Sequence, residues 1–509
     1  MTSAQTPAPR LFAASPWLIR AAQAILFAAG LLVRLYDLHD APLDFHGTRQ
    51  LHSALIARGM YYQTLADAPA WQREMADAQR RAEGLIEPQI METLAAFGYH
   101  LAGSEQLWIP RLLSILFWLA GGVGVFLLGR DLTDANGGIA AAAFYIALHY
   151  GVIASRSFQP DPLLTAAIVW ALWAIFRWQR QPTWGRTVAA GLLGGLAIYV
   201  KSTAVFFIAG AWLGLILFGI GLGKALRDPR IWLAGALTVL PYAAYHIYAT
   251  AVLHLLESQF SLRFFPQMWI DPVFYLRWKN LIEGVMDLSW LLVALAGVFL
   301  IRDKAARSLF AGAFAGYFIY GVIFSYQTST HDYYHLPLIP LVGLGLGAAF
   351  ALAVSSFHGP RWLRSALAVV LLLAFAASNL WDARVELKRA DYRAEAALAE
   401  EIGAIFRPQD RVVSIAPYYS YALSYWGWVN ATNWFSAGDF EMRALAGQGV
   451  DVRAAFNEAT EGKDYFLVMD FVELDRQPLV KELLERHYPL IQKTDQYALY
   501  DLRKPLGDQ

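Results

Sequence analysis

At 509 residues, with 57% hydrophobic side chains, 16% charged ones and a mean hydropathy of +0.37, the chain is too apolar for an ordinary soluble protein of its length. Basic and acidic residues balance at 41 each, which argues against a nucleic-acid partner. Cysteine is absent, so disulfide staples, a thiol nucleophile and a cysteine zinc site are excluded.

Crossing a bilayer takes about 20 mostly apolar residues, and eleven such segments are predicted, at 17–36, 109–129, 137–154, 161–177, 187–200, 202–222, 231–249, 286–301, 308–326, 335–355 and 363–381. The first lacks a small-residue cleavage site and runs into a charged loop, so it reads as a span and not as a signal peptide. Arg10 and Arg20 precede or open it. With that end inside, the connections bearing Arg130, Arg177 with Arg180 and Arg186, Lys224 with Arg227 and Arg230, Arg302 with Lys304 and Arg307, and Arg361 with Arg364 share the same side, as the positive-inside rule requires. The expected fold class is a polytopic α-helical protein of the plasma or inner membrane: a transmembrane module over 1–382, and an extracytoplasmic α/β domain over 383–509. The loops 37–108 and 250–285 then also lie outside.

Segments 48–63 and 69–98 place apolar residues at helical spacing and are expected as helices along the membrane surface. The 250–285 loop mixes seven aromatics, Phe260 among them, with Arg263, Arg277 and Lys279, as suits the headgroup level. In the tail, runs at 411–416, 465–469 and 497–501 read as strands and 477–487 as a helix. Its Tyr418-Tyr419-Ser420-Tyr421 and nearby tryptophans read as core or interface residues, or as a sugar-stacking surface.

Four polar insertions fall on the outer side. After the first span comes Asp44-Phe45-His46-Gly47-Thr48-Arg49, readable as a capped helix with an ion pair or as a proton acceptor beside anion-binding groups. Arg156-Ser157-Phe158-Gln159-Pro160-Asp161 opens the fourth span, where Asp161 caps a helix or serves chemistry. Lys201 interrupts an apolar run as a snorkelling anchor or a phosphate ligand. His331-Asp332-Tyr333-Tyr334-His335 precedes the tenth span, as belt residues or as partners of an anionic headgroup. Their clustering on one face favours a single site.

This order of features resembles the GT-C glycosyltransferases, and within them the bacterial protein mannosyltransferase and aminoarabinose transferase branch. The resemblance implies a membrane enzyme that takes a sugar from a polyprenyl-phosphate donor and delivers it to a lipid, glycan or protein acceptor outside the cytoplasm, without a cofactor or metal. Position by position, Asp44 and Asp161 would be the catalytic carboxylates and Lys201 the donor-phosphate ligand, joined by Arg156, Arg263 and His331. His46, Arg49, Tyr333 and Tyr334 would support them. One departure is that the family's acidic pair in the first loop is here Asp44-Phe45, which keeps Asp40 and His46 open as alternative bases. A lipid-linked sugar transporter or flippase and a non-catalytic cell-envelope subunit are the competing classes; transport sites sit near the midplane, often between inverted repeats, and no repeat is visible in the sequence.

Overall fold

The computed structural model describes residues 16–252 and 262–506. Arg10, Phe260 and the Arg361 side chain lie outside the described residues.

Each of the eleven apolar segments falls on helix, from Pro16–Arg34, through Trp108–Leu132, Asp161–Arg180, Trp184–Val200 and Lys304–Ile323, to Arg361–Arg389. Among the described residues, six helices are long and apolar enough to cross a membrane, or seven if Pro272–Met286 and Leu288–Phe299, bent by 87°, form one span. Breaks shorten the others. Leu148 and Lys201 adopt extended backbone, so Ala135–Ala147 stops before His149–Ala154, and Trp184–Val200 stops before Ala204–Gly214. Lys201 therefore stands in the break between two helices, with its side chain buried.

The helix that follows Lys201 packs on Lys304–Ile323 backbone to backbone. A Cβ added at Gly210 would run into the Gly312 carbonyl oxygen, one at Gly214 into that of Ser308, and one at Gly316 into that of Phe206. Only glycine permits this approach, as in other closely crossed membrane helices.

The segment expected to lie along the membrane surface is for the most part internal. Helix Gly47–Gln63 has Leu51, Ala54, Leu55, Ile56 and Ala57 buried. It is covered by helices Ala70–Ala82 and Ile90–Ala102 and by Tyr425 of the C-terminal domain. The sequence pattern missed this because it does not show that the next two helices fold back over this one, nor that Tyr425, more than 350 residues away, closes the cover. Phe97 and Leu101 do remain exposed on the third helix.

The C-terminal domain holds a five-stranded sheet of β1 (Arg411–Ile415), β2 (Asn430–Asn433), β3 (Tyr465–Val468), β4 (Leu490–Lys493) and β5 (Ala498–Asp501). Its order is β2-β1-β3-β5-β4, with β1 parallel to β2 and β3, and β5 antiparallel to β3 and β4. The expected strands are β1, β3 and β5, and the expected helix is Pro478–His487. The two edge strands escaped prediction because β2 is polar (Asn-Ala-Thr-Asn) and β4 is exposed throughout.

Arg58 clamps this domain to the first loop. Its guanidinium lies 3.8 Å from the Tyr425 ring and 4.2 Å from that of Trp428, pairs with Glu105 at 3.1 Å, and donates to the Tyr425 carbonyl at 2.6 Å. Gln79 adds hydrogen bonds to the carbonyls of Ser424 and Val429.

Candidate active site

The insertions converge on two neighbouring cavities. The first, about 360 Å³, is lined by Arg49, Lys201, Arg263, His331, Tyr333 and Tyr334 of the expected set, with Glu87, Ser202 and Thr203. Lys201 Nζ lies 2.9 Å from Asp161 and 3.7 Å from Glu87, and 5.4 and 5.2 Å from the ring centroids of Tyr333 and Tyr334. Arg49 donates to both oxygens of Glu87 at 2.9 and 3.2 Å, while its Nε is buried with no hydrogen-bond partner among the described residues. Burial opposes the charge of Glu87, yet Arg49, Lys201 and Arg263 hold its carboxyl down at about 2. Three cations, Arg49, Lys201 and Arg263, face the cavity, balanced by Glu87 in the lining and by Asp161 behind Lys201, so the lining carries a net positive charge. Burial, with the charges of His46, Arg49 and Lys201, pushes the His331 imidazole down to about 4, so His331 offers a hydrogen bond and no charge near neutrality.

Asp161 does not cap its helix. Pro160 occupies the N-cap position, and the carboxylate is spent on Lys201 through Oδ1, with Oδ2 buried and unpartnered among the described residues.

The second cavity, about 390 Å³, is lined by Asp44, Phe45, His46, His149, Tyr150, Asp332 and Glu386, with Ile153 and Gly284. The Asp44 carboxylate is nearly inaccessible, 2.5 Å from Arg111 Nη2 and 3.4 Å from Arg156 Nε. His46, held in the left-handed conformation at φ 46°, sets Nε2 2.5 Å from Asp332 and turns its ring edge to Tyr333, with centroids 4.7 Å apart. Burial works against the Asp332 charge, but the hydrogen bond from His46 lowers its pKa. The His46–Tyr333 contact is the wall between the cavities, since Tyr333 lines one and His46 the other.

Arg156 lines neither cavity. It is almost fully buried and donates to the carbonyls of Arg34, Tyr36 and Asp37, so its work is to hold the end of the first helix and Asp44. Asp40, the alternative base, is likewise committed, accepting from the backbone N–H groups of Ala41 and Tyr392. His335 is a core residue between Tyr317 and the Thr328 carbonyl.

Sequence reasoning missed Glu87 and Arg111. Glu87 stood inside a segment read as one helix over 69–98; Gly84 and Pro88 in that segment were the signal of a loop. Arg111 sits inside an apolar span, where a buried guanidinium asks for a carboxylate. No group of three or more metal-binding side chains occurs among the described residues.

Residues 87–248 match the family model described as dolichyl-phosphate-mannose-protein mannosyltransferase. No curated protein sequence matches the chain. Among solved structures, the chain is similar to ArnT from Cupriavidus metallidurans, with TM-score 0.60 and 16% identity over 95% of this chain and 98% of that one. A structure of the same ArnT bound to undecaprenyl phosphate gives TM-score 0.59 and 16% identity over 96% and 98%. The oligosaccharyltransferase of Archaeoglobus fulgidus gives 0.53 and 12% over 90% and 70%, and the arabinofuranosyltransferase AftD from Mycobacteria 0.52 and 14% over 96% and 42%. The chain has the GT-C fold that these solved structures share, and its match to the mannosyltransferase family model is confined to residues 87–248.

Proposed function

We propose that this protein is a glycosyltransferase that moves a sugar from a polyprenyl-phosphate donor to an acceptor on the extracytoplasmic side of the inner or plasma membrane, by a single inverting displacement. One observation carries the reading: a cavity lined by three cations shares a wall with a cavity lined by Asp44. The donor phosphate binds between Lys201, Arg49 and Arg263, with His331 and Tyr334 as hydrogen-bond donors, while Glu87 and Asp161 align Arg49 and Lys201. The acceptor oxygen forms a bond to the anomeric carbon as the bond from that carbon to the phosphate oxygen breaks. The electron pair leaves with polyprenyl phosphate, whose charge the cations stabilise. The acceptor's proton passes to Asp44, which Arg111 and Arg156 hold in place. Cationic side chains supply the charge that a divalent metal provides in other transferases, so the reaction is written without one.

The test is purified protein with a panel of polyprenyl-phosphate pentoses and hexoses. Release of polyprenyl phosphate is expected from the wild type, with a rate about 10²–10⁴ lower for Asp44→Asn at unchanged donor affinity. If Asp44→Asn transfers normally while Asp40→Asn or His46→Ala abolishes transfer, the base is misassigned. If none of these substitutions, nor Asp161→Asn, alters any transfer, the transferase reading falls. Translocation of the intact donor without release would instead favour a flippase.

A further inference from the structure

The two cavities offer a ligand opposite chemistry. On the donor side, Arg49, Lys201 and Arg263 present N–H groups around one carboxylate. The second cavity is lined by three carboxylates, Asp44, Asp332 and Glu386, and by no lysine or arginine among the described residues. His46 and His149 pair with two of the carboxylates, at 2.5 and 2.6 Å. Arg111 and Arg156 neutralise Asp44 from behind, but turn their other donors away: Arg111 to the carbonyls of Leu38, Asp40 and Arg156, and Arg156 to those of Arg34, Tyr36 and Asp37.

A phosphate entering this cavity would shed hydration, find no lysine or arginine in the wall but only two imidazoles already paired with carboxylates, and face three carboxylates. A ligand rich in hydroxyls would find the reverse, since carboxylates only accept hydrogen bonds. The Tyr150 hydroxyl, buried in the same wall, faces Asp332 as its donor, leaving its lone pairs to accept from a hydroxyl ligand. Phe45 and Tyr150, edge to face at 5.5 Å, give the wall an aromatic part suited to the C–H face of a sugar ring.

Resting on the transferase reading, we infer that the second cavity receives the acceptor, and that its reacting end is an uncharged glycan and not a phosphorylated group. Several carboxylates around one small space suit vicinal hydroxyls, which a sugar ring has and a seryl or threonyl side chain lacks.

The experiment uses the full-length protein in nanodiscs and three probes: neutral methyl oligoglycosides, their phosphate monoesters, and a serine/threonine peptide. Binding is read by saturation-transfer NMR and calorimetry, and transfer by release of polyprenyl phosphate. The neutral glycoside is expected to bind about tenfold or more tightly than its phosphate ester. Glu386→Arg, on a half-exposed side chain, should narrow or reverse that preference, because it places a cation in the wall. Equal or tighter binding of the ester by the wild type, preference for the peptide, or no binding of the neutral glycoside would each overturn the inference. Transfer to the ester alone would sink it and keep the transferase. Binding of the neutral glycoside without release from any donor would sink the transferase reading and leave a glycan site.

Discussion

Substitution of Lys201 separates two effects that the structure superimposes. Its ammonium is the partner of Asp161 at 2.9 Å and part of the cationic lining. Lys201→Met therefore removes a charge-assisted contact to the donor, about 1.5–3 kcal/mol or roughly 10–150-fold in affinity. It also leaves Asp161 buried with both oxygens unpaired, a defect that costs about 3–5 kcal/mol of stability. The double variant Lys201→Met with Asp161→Asn repairs the second defect and retains the first. Apparent melting temperature and donor affinity, measured side by side for wild type, both single variants and the double variant, keep the two apart. The expected result is a melting temperature restored toward wild type in the double variant, with donor affinity still down by roughly 10–150-fold. If the double variant binds donor as well as wild type, Lys201 serves only to neutralise Asp161 and the phosphate site must be sought elsewhere.

Three further outcomes are expected. Alkaline phosphatase fused after residue 385 should be active and near residue 305 inactive; the reverse would overturn the charge-based topology. Arg58→Ala should loosen the C-terminal domain by about 3–5 kcal/mol, because it strips Glu105 of its cationic partner and removes the guanidinium from the Tyr425 and Trp428 rings; limited proteolysis within 383–509 should speed up, and unchanged protection would show that the clamp is dispensable. Burial raises the Glu92 carboxyl to about 7, so the native state holds this proton more tightly than the unfolded chain does, and stability is lost as pH rises from about 4.5 toward about 7, by at most about 1.4 kcal/mol per unit. Glu92→Gln lacks that slope, so its stability relative to wild type should climb across that window in melting curves and level off above it; a constant offset from pH 4 to pH 8 would refute the argument.

Much of the helical module was legible because apolar runs and interrupting charges are local signals. Lys201 was visible as a breach in such a run, and the His331–His335 cluster as polarity at a span's edge. The acidic partners were harder to read. Glu87 acquires meaning only when Arg49, 38 residues earlier, and Lys201, 114 residues later, meet it, and sequence offers no measure of that convergence. Arg156 shows the same limit from the other side, since the family resemblance implied a phosphate ligand while its carbonyl partners come from the end of the first helix. Helix Gly47–Gln63 was read as interfacial because helical spacing shows an apolar face but not what covers it, here two neighbouring helices and Tyr425 from the far end of the chain.

The glycine contact between Ala204–Gly214 and Lys304–Ile323 bears on substrate choice. One of these helices begins just after Lys201 and the other leads, through the short helix Ser325–Thr330, to His331 and Tyr333, so the depth to which they sink into each other sets how far apart the two halves of the proposed phosphate site stand. Width at the mouth is thus adjusted from beneath, like the opening of a pair of tongs by the thickness of its pivot. An alanine at Gly210, Gly312 or Gly316 would touch no ligand, yet would spread the jaws. Variation at these glycines is therefore a means of tuning which headgroup fits without altering any residue that touches it.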